Sequence, residues 1–184
     1  MKTTIQSLCA ALLLATSGWL SAAEAPAAPA PIKHSAEFDK LKSLVGTWSG
    51  KTDMGQGPVD ITIQYRLIAA GSVLEERCMM GTPNEMVSMY YDQGGKLTMT
   101  HYCMLGNRPV MALKSSTANS LTFDLDAACC TFDTKKEGHM SGTTLTFVDE
   151  NTLTSSCKAS FGGQEVPEHS TTLKRVADKT TAAK

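Results

Sequence analysis

Apolar and polar residues alternate along most of the chain after residue 58. The alternation is clearest in segments 61–67, 97–103, 121–125, 145–147 and 153–161. Because successive side chains of a strand point to opposite faces, this pattern indicates β-strands with one buried face. The segments are separated by turn-forming sequences, which are Gly55-Gln56-Gly57-Pro58, Asp92-Gln93-Gly94-Gly95, Gly106-Asn107, Asp149-Glu150-Asn151 and Gly162-Gly163. The chain is therefore predicted to be all-β, a single antiparallel up-and-down barrel, with a two-sheet sandwich as the alternative.

A short helix is predicted just before the strands. Ser35 is a favourable N-cap, and two acidic residues follow it where negative charge suits the helix dipole. Gly46 ends the segment. The apolar residues fall on one face, which is made of Phe38, Leu41, Leu44 and Val45. We expect this helix to cap one end of the barrel.

The N-terminus has the pattern of a cleaved export signal. Lys2 supplies a positive charge, residues 8–15 form an apolar run too short to span a bilayer, and Ser21-Ala22-Ala23 offers a cleavage site. We predict a signal peptide at 1–23, an Ala/Pro-rich linker at 24–34, the barrel at 35–176 and a flexible tail at 177–184. This organisation predicts a periplasmic or secreted protein that begins at Glu24 or, by a second site, at Pro26.

The charge balance excludes some classes of partner. The chain has 17 basic and 18 acidic residues, and removal of the signal takes away only Lys2. No basic stripe is present, so nucleic acid is not expected as a partner. No cationic amphipathic helix is present either, so we expect no stable membrane insertion. The sequence leaves the oligomeric state open.

The segment that joins the helix to the first strand carries a family resemblance. Gly46-Thr47-Trp48-Ser49-Gly50 resembles the Gly-x-Trp signature of lipocalin-like (calycin) barrels. Further matches are Tyr91-Asp92, Thr100-His101-Tyr102-Cys103, Gly106-Asn107-Arg108-Pro109-Val110-Met111 and Gly138-His139-Met140. Together they are similar to a family of small exported bacterial proteins of unknown function, over residues 38 to 176. The resemblance implies a barrel with Trp48 packed across its base, and it brings no assigned reaction. We expect Gly46, Trp48, Gly50 and Tyr65 to be structural, with Trp48 buried against the helix and Tyr65.

A more distant resemblance concerns haem. Nitrobindin-like barrels share the Gly-Thr-Trp-x-Gly opening and hold haem through a histidine near the last strand. His169 lies at a comparable place, but this chain has Val59-Asp60-Ile61-Thr62 where those proteins have Tyr-Pro-Thr-Ile. We expect no cofactor, while the resemblance keeps haem as an alternative.

Histidines are the main candidates for interior chemistry. His101, His139 and His169 each have the parity of their strand's apolar residues, provided that the strand of His139 runs unbroken through Gly142. All three are therefore predicted to point inward, whereas His34 is expected in solvent. The candidate ligand-binding residues are His101, Cys103, Asn107, His139 and His169. The simpler interpretation is three unrelated histidines, each satisfied by a local hydrogen bond.

Cysteines and one acidic strand end add further candidates. His101 and Cys103 are two residues apart on one strand, which suits a transition metal, yet no ligand motif identifies one. Five cysteines remain after residue 23, so their disulfide pairing stays open, including a Cys103–Cys157 bridge. Glu76 has inward parity and could orient a ligand, but charges are rarely buried unpaired, which favours a solvated strand end.

These observations predict an exported, non-catalytic barrel that binds a small molecule. No Gly-x-Ser-x-Gly elbow or other triad context is present. Two alternatives remain open. One is a haem or metal protein that uses the interior histidines, and the other is a small enzyme with a histidine as general base.

Overall fold

The barrel predicted from the alternation is confirmed. The computed structural model describes residues 33–53, 55 and 57–177. The predicted signal, most of the linker and most of the tail lie outside these residues. The strands are β1 Gly46–Asp53, β2 Pro58–Ile68, β3 Val73–Cys78, β4 Met86–Gln93, β5 Lys96–Tyr102, β6 Val110–Ser116, β7 Ser120–Leu125, β8 His139–Asp149, β9 Thr152–Phe161, β10 Gln164–Glu165 and β11 His169–Arg175.

All pairings are antiparallel, and they close the sheet on itself. Strands β1 to β9 pair in chain order, β9 pairs with β11, and β11 returns to β1. The short β10 extends the end of β9. The result is a ten-stranded closed barrel, so each alternating strand turns its apolar face into one interior.

The predicted helix is present and packs at one end of the barrel. Helix α1 spans Ala36–Leu41 and continues as a 3₁₀ turn over Lys42–Leu44. The Ser35 hydroxyl caps it, and the same residue hydrogen-bonds Asp92 at the end of β4 at 2.7 and 2.8 Å. Phe38, Leu41 and Leu44 are buried as expected, whereas Val45 is 42% exposed because the chain has already left the helix. None of the described helices is long and apolar enough to cross a membrane.

The expectation that His34 is solvated is wrong. Its ring stacks on Phe38 with centroids 4.4 Å apart, and its Nδ1 lies 3.8 Å from an Asp92 oxygen. The residue therefore belongs to the same cap as the helix, and it is half-buried rather than part of a solvated linker.

Trp48 seals the helical end. Its ring is buried, its Nε1 donates a hydrogen bond of 2.7 Å to the Leu44 carbonyl, and Arg175 lies over the ring at 4.2 Å. Gly50 is required next to it, since a Cβ there would lie 2.3 Å from the Thr172 carbonyl oxygen of β11. Gly46 has a φ of +128°, a conformation that only glycine adopts readily.

Candidate functional site

A cavity of about 710 Å³ occupies the barrel end opposite the helix. Its walls come from the ends of β1, β3, β5 and β9 and from the starts of β2, β4, β8 and β11, which meet at one end of an antiparallel barrel. Most of the wall is apolar, and the lining apolar and sulfur-containing residues are Ile61, Ile63, Cys78, Met79, Met86, Cys103, Met104, Leu105, Met140, Cys157, Ala159, Phe161, Val166 and Pro167. The cavity therefore suits an apolar molecule of drug-like size.

One level of the barrel carries a row of polar side chains across four neighbouring strands. Tyr65, Glu76, Ser88 and His101 lie directly opposite one another in the β2–β3, β3–β4 and β4–β5 pairings. We call these four residues the polar row. All of them have inward parity, so a strictly apolar core gives way here to hydrogen-bonding groups, and three of the four line the cavity.

Glu76 is the centre of the row. Its Oε2 accepts a hydrogen bond of 2.9 Å from the Tyr90 hydroxyl, and its Oε1 accepts a long one of 3.4 Å from Ser88. The Tyr65 hydroxyl is buried beside the same carboxyl without a hydrogen bond of normal geometry. Burial raises the pKa of Glu76, although the hydroxyl groups around it act in the opposite direction.

His101 extends the row toward the cavity. Its Nδ1 lies 3.0 Å from Ser88 Oγ, and its ring lines the cavity. Burial lowers the pKa of His101 to about 4, so the ring is neutral at physiological pH. The single hydroxyl hydrogen of Ser88 goes either to Glu76 or to His101. If it goes to Glu76, His101 Nδ1 donates to Ser88 and Nε2 is an acceptor toward the cavity; if it goes to His101, Nε2 carries the proton and is a donor.

The structure places His139 differently from the parity argument. A bulge between Met140 and Gly142 shifts the register, so β8 does not run unbroken as that argument required. Met140 pairs with Ala159, and His139 pairs with Ser160. His139 is buried against Phe132, and its Nδ1 donates to the Glu137 carbonyl at 2.7 Å, while its ring still forms part of the cavity wall.

Of the remaining candidates, two line the cavity and one makes a structural hydrogen bond outside it. Cys103 and His169 line the cavity, the latter half-buried at the start of β11. Asn107 is not part of the lining. Its amide donates at 2.8 Å to the Gly138 carbonyl and so ties the β5–β6 turn to the segment before β8. The structure thus brings together four of the five candidates, with Asn107 in a supporting position.

Three thiols share the cavity, and none is in a disulfide. Cys78, Cys103 and Cys157 are all free. Cys129, the last residue of a 3₁₀ turn at Ala127–Cys129, and Cys130, which follows it, are free as well. Burial raises the pKa of Cys78 to about 12 and that of Cys157 to about 11, which keeps both thiols protonated.

Within residues 33–53, 55 and 57–177, no three His, Cys, Asp or Glu side chains are placed to hold a metal ion.

The interpretation of Glu76 as a solvated strand end is wrong. Its neighbour Glu75 lies on the outer face of β3, where it is itself buried and pairs with Arg66. Sequence reasoning also missed Ser88 and Tyr90. Both have the same parity as Met86 in β4, so the alternation along this strand could have indicated that their side chains point inward.

Comparisons with known proteins support the fold only. No known family model and no curated protein matches the chain. A solved structure of Rv2717c from M. tuberculosis aligns with a TM-score of 0.52 at 12% identity, covering 79% of this chain and 100% of that one. A protein of unknown function from the DUF3598 family of Nostoc punctiforme aligns with a TM-score of 0.51 at 13% identity and 74% coverage. This chain spans 49% of that protein's length. At such identities the chain is similar to these proteins in its barrel fold, and neither name assigns an activity.

Proposed function

We propose that this chain is an exported binding protein that holds a small, largely apolar molecule in its open barrel end and performs no chemistry on it. The observation that carries the proposal is the cavity itself. Its volume of about 710 Å³ lies within the range of small-molecule sites, and a few polar groups stand on an apolar wall. Such walls provide affinity through burial of apolar surface and orientation through the polar groups.

The order of the polar side chains favours binding over catalysis. A catalytic triad needs the histidine between the nucleophile and the acid. Here Ser88 lies between Glu76 and His101, so no carboxylate orients the imidazole. A histidine with a pKa of about 4 is also a weak base at neutral pH.

A haem or transition-metal protein is the second candidate. The observation that favours it is His101, whose neutral ring lines the cavity and makes its hydrogen bond to Ser88 through Nδ1, which leaves Nε2 for a ligand. A nitrogen held in this way by a hydrogen bond at the other ring position is the usual arrangement of a ligating histidine. Absorbance in the Soret region and metal analysis of the purified protein test this candidate. Neither signal is expected if the binding-protein proposal is correct.

A matched pair of blocking variants tests the proposal. Ser155 lines the cavity, and the adjacent Ser156 faces outward and bonds Ser170. N-phenyl-naphthylamine, a neutral probe that fluoresces in apolar surroundings, should bind the native protein and the Ser156→Phe variant alike. Ser155→Phe should reduce this binding about tenfold or more, since its ring occupies the site. Equal binding by both variants, or no probe binding to native protein, would contradict the proposal.

Export is a separate part of the proposal, supported by the N-terminal pattern. Mass measurement of protein from the native compartment should give a chain beginning at Glu24 or Pro26. Intact Met1 on protein recovered from the cytoplasm would contradict it.

A further inference from the structure

We infer that the ligand of the cavity is a cationic amphiphile, whose protonated amine pairs with Glu76 while its apolar body fills the remaining space. This inference rests on the proposed binding function and names the chemical class of the ligand. It follows from the charges around the cavity and from what Glu76 lacks.

Glu76 differs from the neighbouring carboxylates in having no cationic partner. Glu75, on the outer face of β3, pairs with Arg66, and Glu85 pairs with Arg77 before β4. Among the described residues, no Lys, Arg or His lies within ion-pair distance of the Glu76 carboxyl. Its protein partners are the hydroxyl groups of Tyr90 and Ser88, and the Tyr65 hydroxyl lies beside the same carboxyl. Glu75 and Glu85 are therefore paired with guanidinium groups, whereas Glu76 inside the barrel is not.

An uncompensated carboxylate inside a barrel is costly. Removing a charge from water is unfavourable unless an opposite charge or a full set of hydrogen bonds replaces the water. Each carboxylate oxygen can accept more than one hydrogen bond, and the one from Ser88 is long at 3.4 Å. A ligand ammonium group supplies both missing elements, a positive charge and up to three N–H donors.

The rest of the cavity agrees with a cation and disfavours an anion. Asp53 and Glu168 stand exposed among the lining residues, and Lys158 is the one Lys or Arg in the described lining. Three carboxylates against one ammonium make the cavity attractive to positive charge. The buried His101 is neutral and offers a further hydrogen bond without adding positive charge. Among the described residues, an anionic ligand would find no guanidinium or ammonium group beside Glu76 to pair with.

The test uses three probes with the same apolar chain and different head groups: decylamine, decanol and decanoate. Each displaces N-phenyl-naphthylamine from native protein at neutral pH and low salt. We expect decylamine to bind about tenfold or more tightly than decanol, since charge-assisted hydrogen bonds are the stronger kind, and decanoate to bind more weakly than both. Equal affinities, or a preference for decanoate, would overturn the inference while leaving the binding function intact.

Two matched variants assign the preference to one carboxyl. Glu76→Gln keeps the shape and removes the charge, so decylamine should fall to the affinity of decanol while decanol binding is kept. Glu75→Gln makes the same change one residue away on the outer face and should leave all three affinities as in native protein. A decylamine preference that survives in Glu76→Gln would overturn the inference. Failure of all three probes to displace a bound reporter would overturn the inference, whereas a reporter that does not bind native protein would contradict the proposed binding function itself.

Discussion

The Tyr90 hydroxyl donates a hydrogen bond of 2.9 Å to Glu76 Oε2, between neighbouring strands β4 and β3. The two residues are not directly opposite, since Tyr90 pairs with Leu74 and Glu76 with Ser88. They meet diagonally because both side chains point into the barrel, within reach of a long aromatic side chain. Burial, followed by the nearby Glu76 charge, raises the pKa of Tyr90 well above its usual value, so Tyr90 is fixed as a donor.

Removing the Tyr90 hydroxyl should destabilise the protein more than removing the Tyr91 hydroxyl on the outer face of the barrel. Tyr90→Phe leaves Glu76 short of a hydrogen bond, at a cost of about 1.5–3 kcal/mol, as for bonds to charged groups. Tyr91→Phe, which removes a bond of 2.9 Å to Thr100 on the other face, should cost about 0.5–1.5 kcal/mol. Urea unfolding at pH 7 measures both. Equal costs would mean that Glu76 does not depend on Tyr90.

His101 should make the free energy of unfolding fall as the pH is lowered. Its pKa is about 4 in the folded protein and about 6.5 when unfolded, so the unfolded chain binds more protons between these values. The contribution of His101 to the free energy of unfolding should be complete above pH 6.5. It should fall as the pH drops toward 4, by about 3 kcal/mol at most. Glu76 acts in the opposite sense because its pKa is raised, so native protein is best compared with a variant that lacks only the histidine.

That variant is His101→Leu. At neutral pH it should lose about 0.5–1.5 kcal/mol, the value of one hydrogen bond, and it should lose less stability than native protein on acidification. Urea unfolding from pH 7 to pH 4 gives the two curves. Parallel curves would show that His101 is protonated alike in the folded and unfolded chain.

Trp48 should be a major stabilising residue. Trp48→Ala removes a buried ring and its hydrogen bond to Leu44, at a cost of about 3–5 kcal/mol. Val45→Ala changes an exposed neighbour and should stay within about 0.5 kcal/mol. A loss below about 1 kcal/mol for Trp48→Ala in denaturant melts would contradict its place in the core.

Gly50 should tolerate no side chain. The Cβ of alanine would press on the Thr172 carbonyl of β11, so Gly50→Ala should cost about 1–3 kcal/mol as an overpacked contact. Ser49→Ala, one residue earlier in β1, is the control and should be close to neutral. Thermal unfolding that ranks the two variants equally would mean that β1 and β11 can separate without loss.

The alternation of apolar residues was enough to predict the barrel, because residues such as Leu97 and Met99 repeat every second position whatever their partners are. The Ser35 cap and the buried Trp48 were also readable locally. The polar row was not, because it depends on register. Glu76 looks like a solvated charge until β4 places Ser88 opposite it and Tyr90 beside it, and those residues are 12 and 14 positions away.

A local irregularity explains the other difference. The bulge near Ser141 moves His139 onto the partner Ser160, and no period-two argument can detect one extra residue in a strand. Likewise, the role of Asn107 depends on Gly138, a segment that comes close only when the barrel closes.

A crystal structure of the barrel with decylamine tests the central claim most directly. We expect electron density for one decylamine molecule inside the open end, with its nitrogen within hydrogen-bonding distance of the Glu76 carboxyl and its tail against the apolar wall. An interior filled by side chains, or a bound amine held at Asp53 or Glu168 with Glu76 uncontacted, would contradict it.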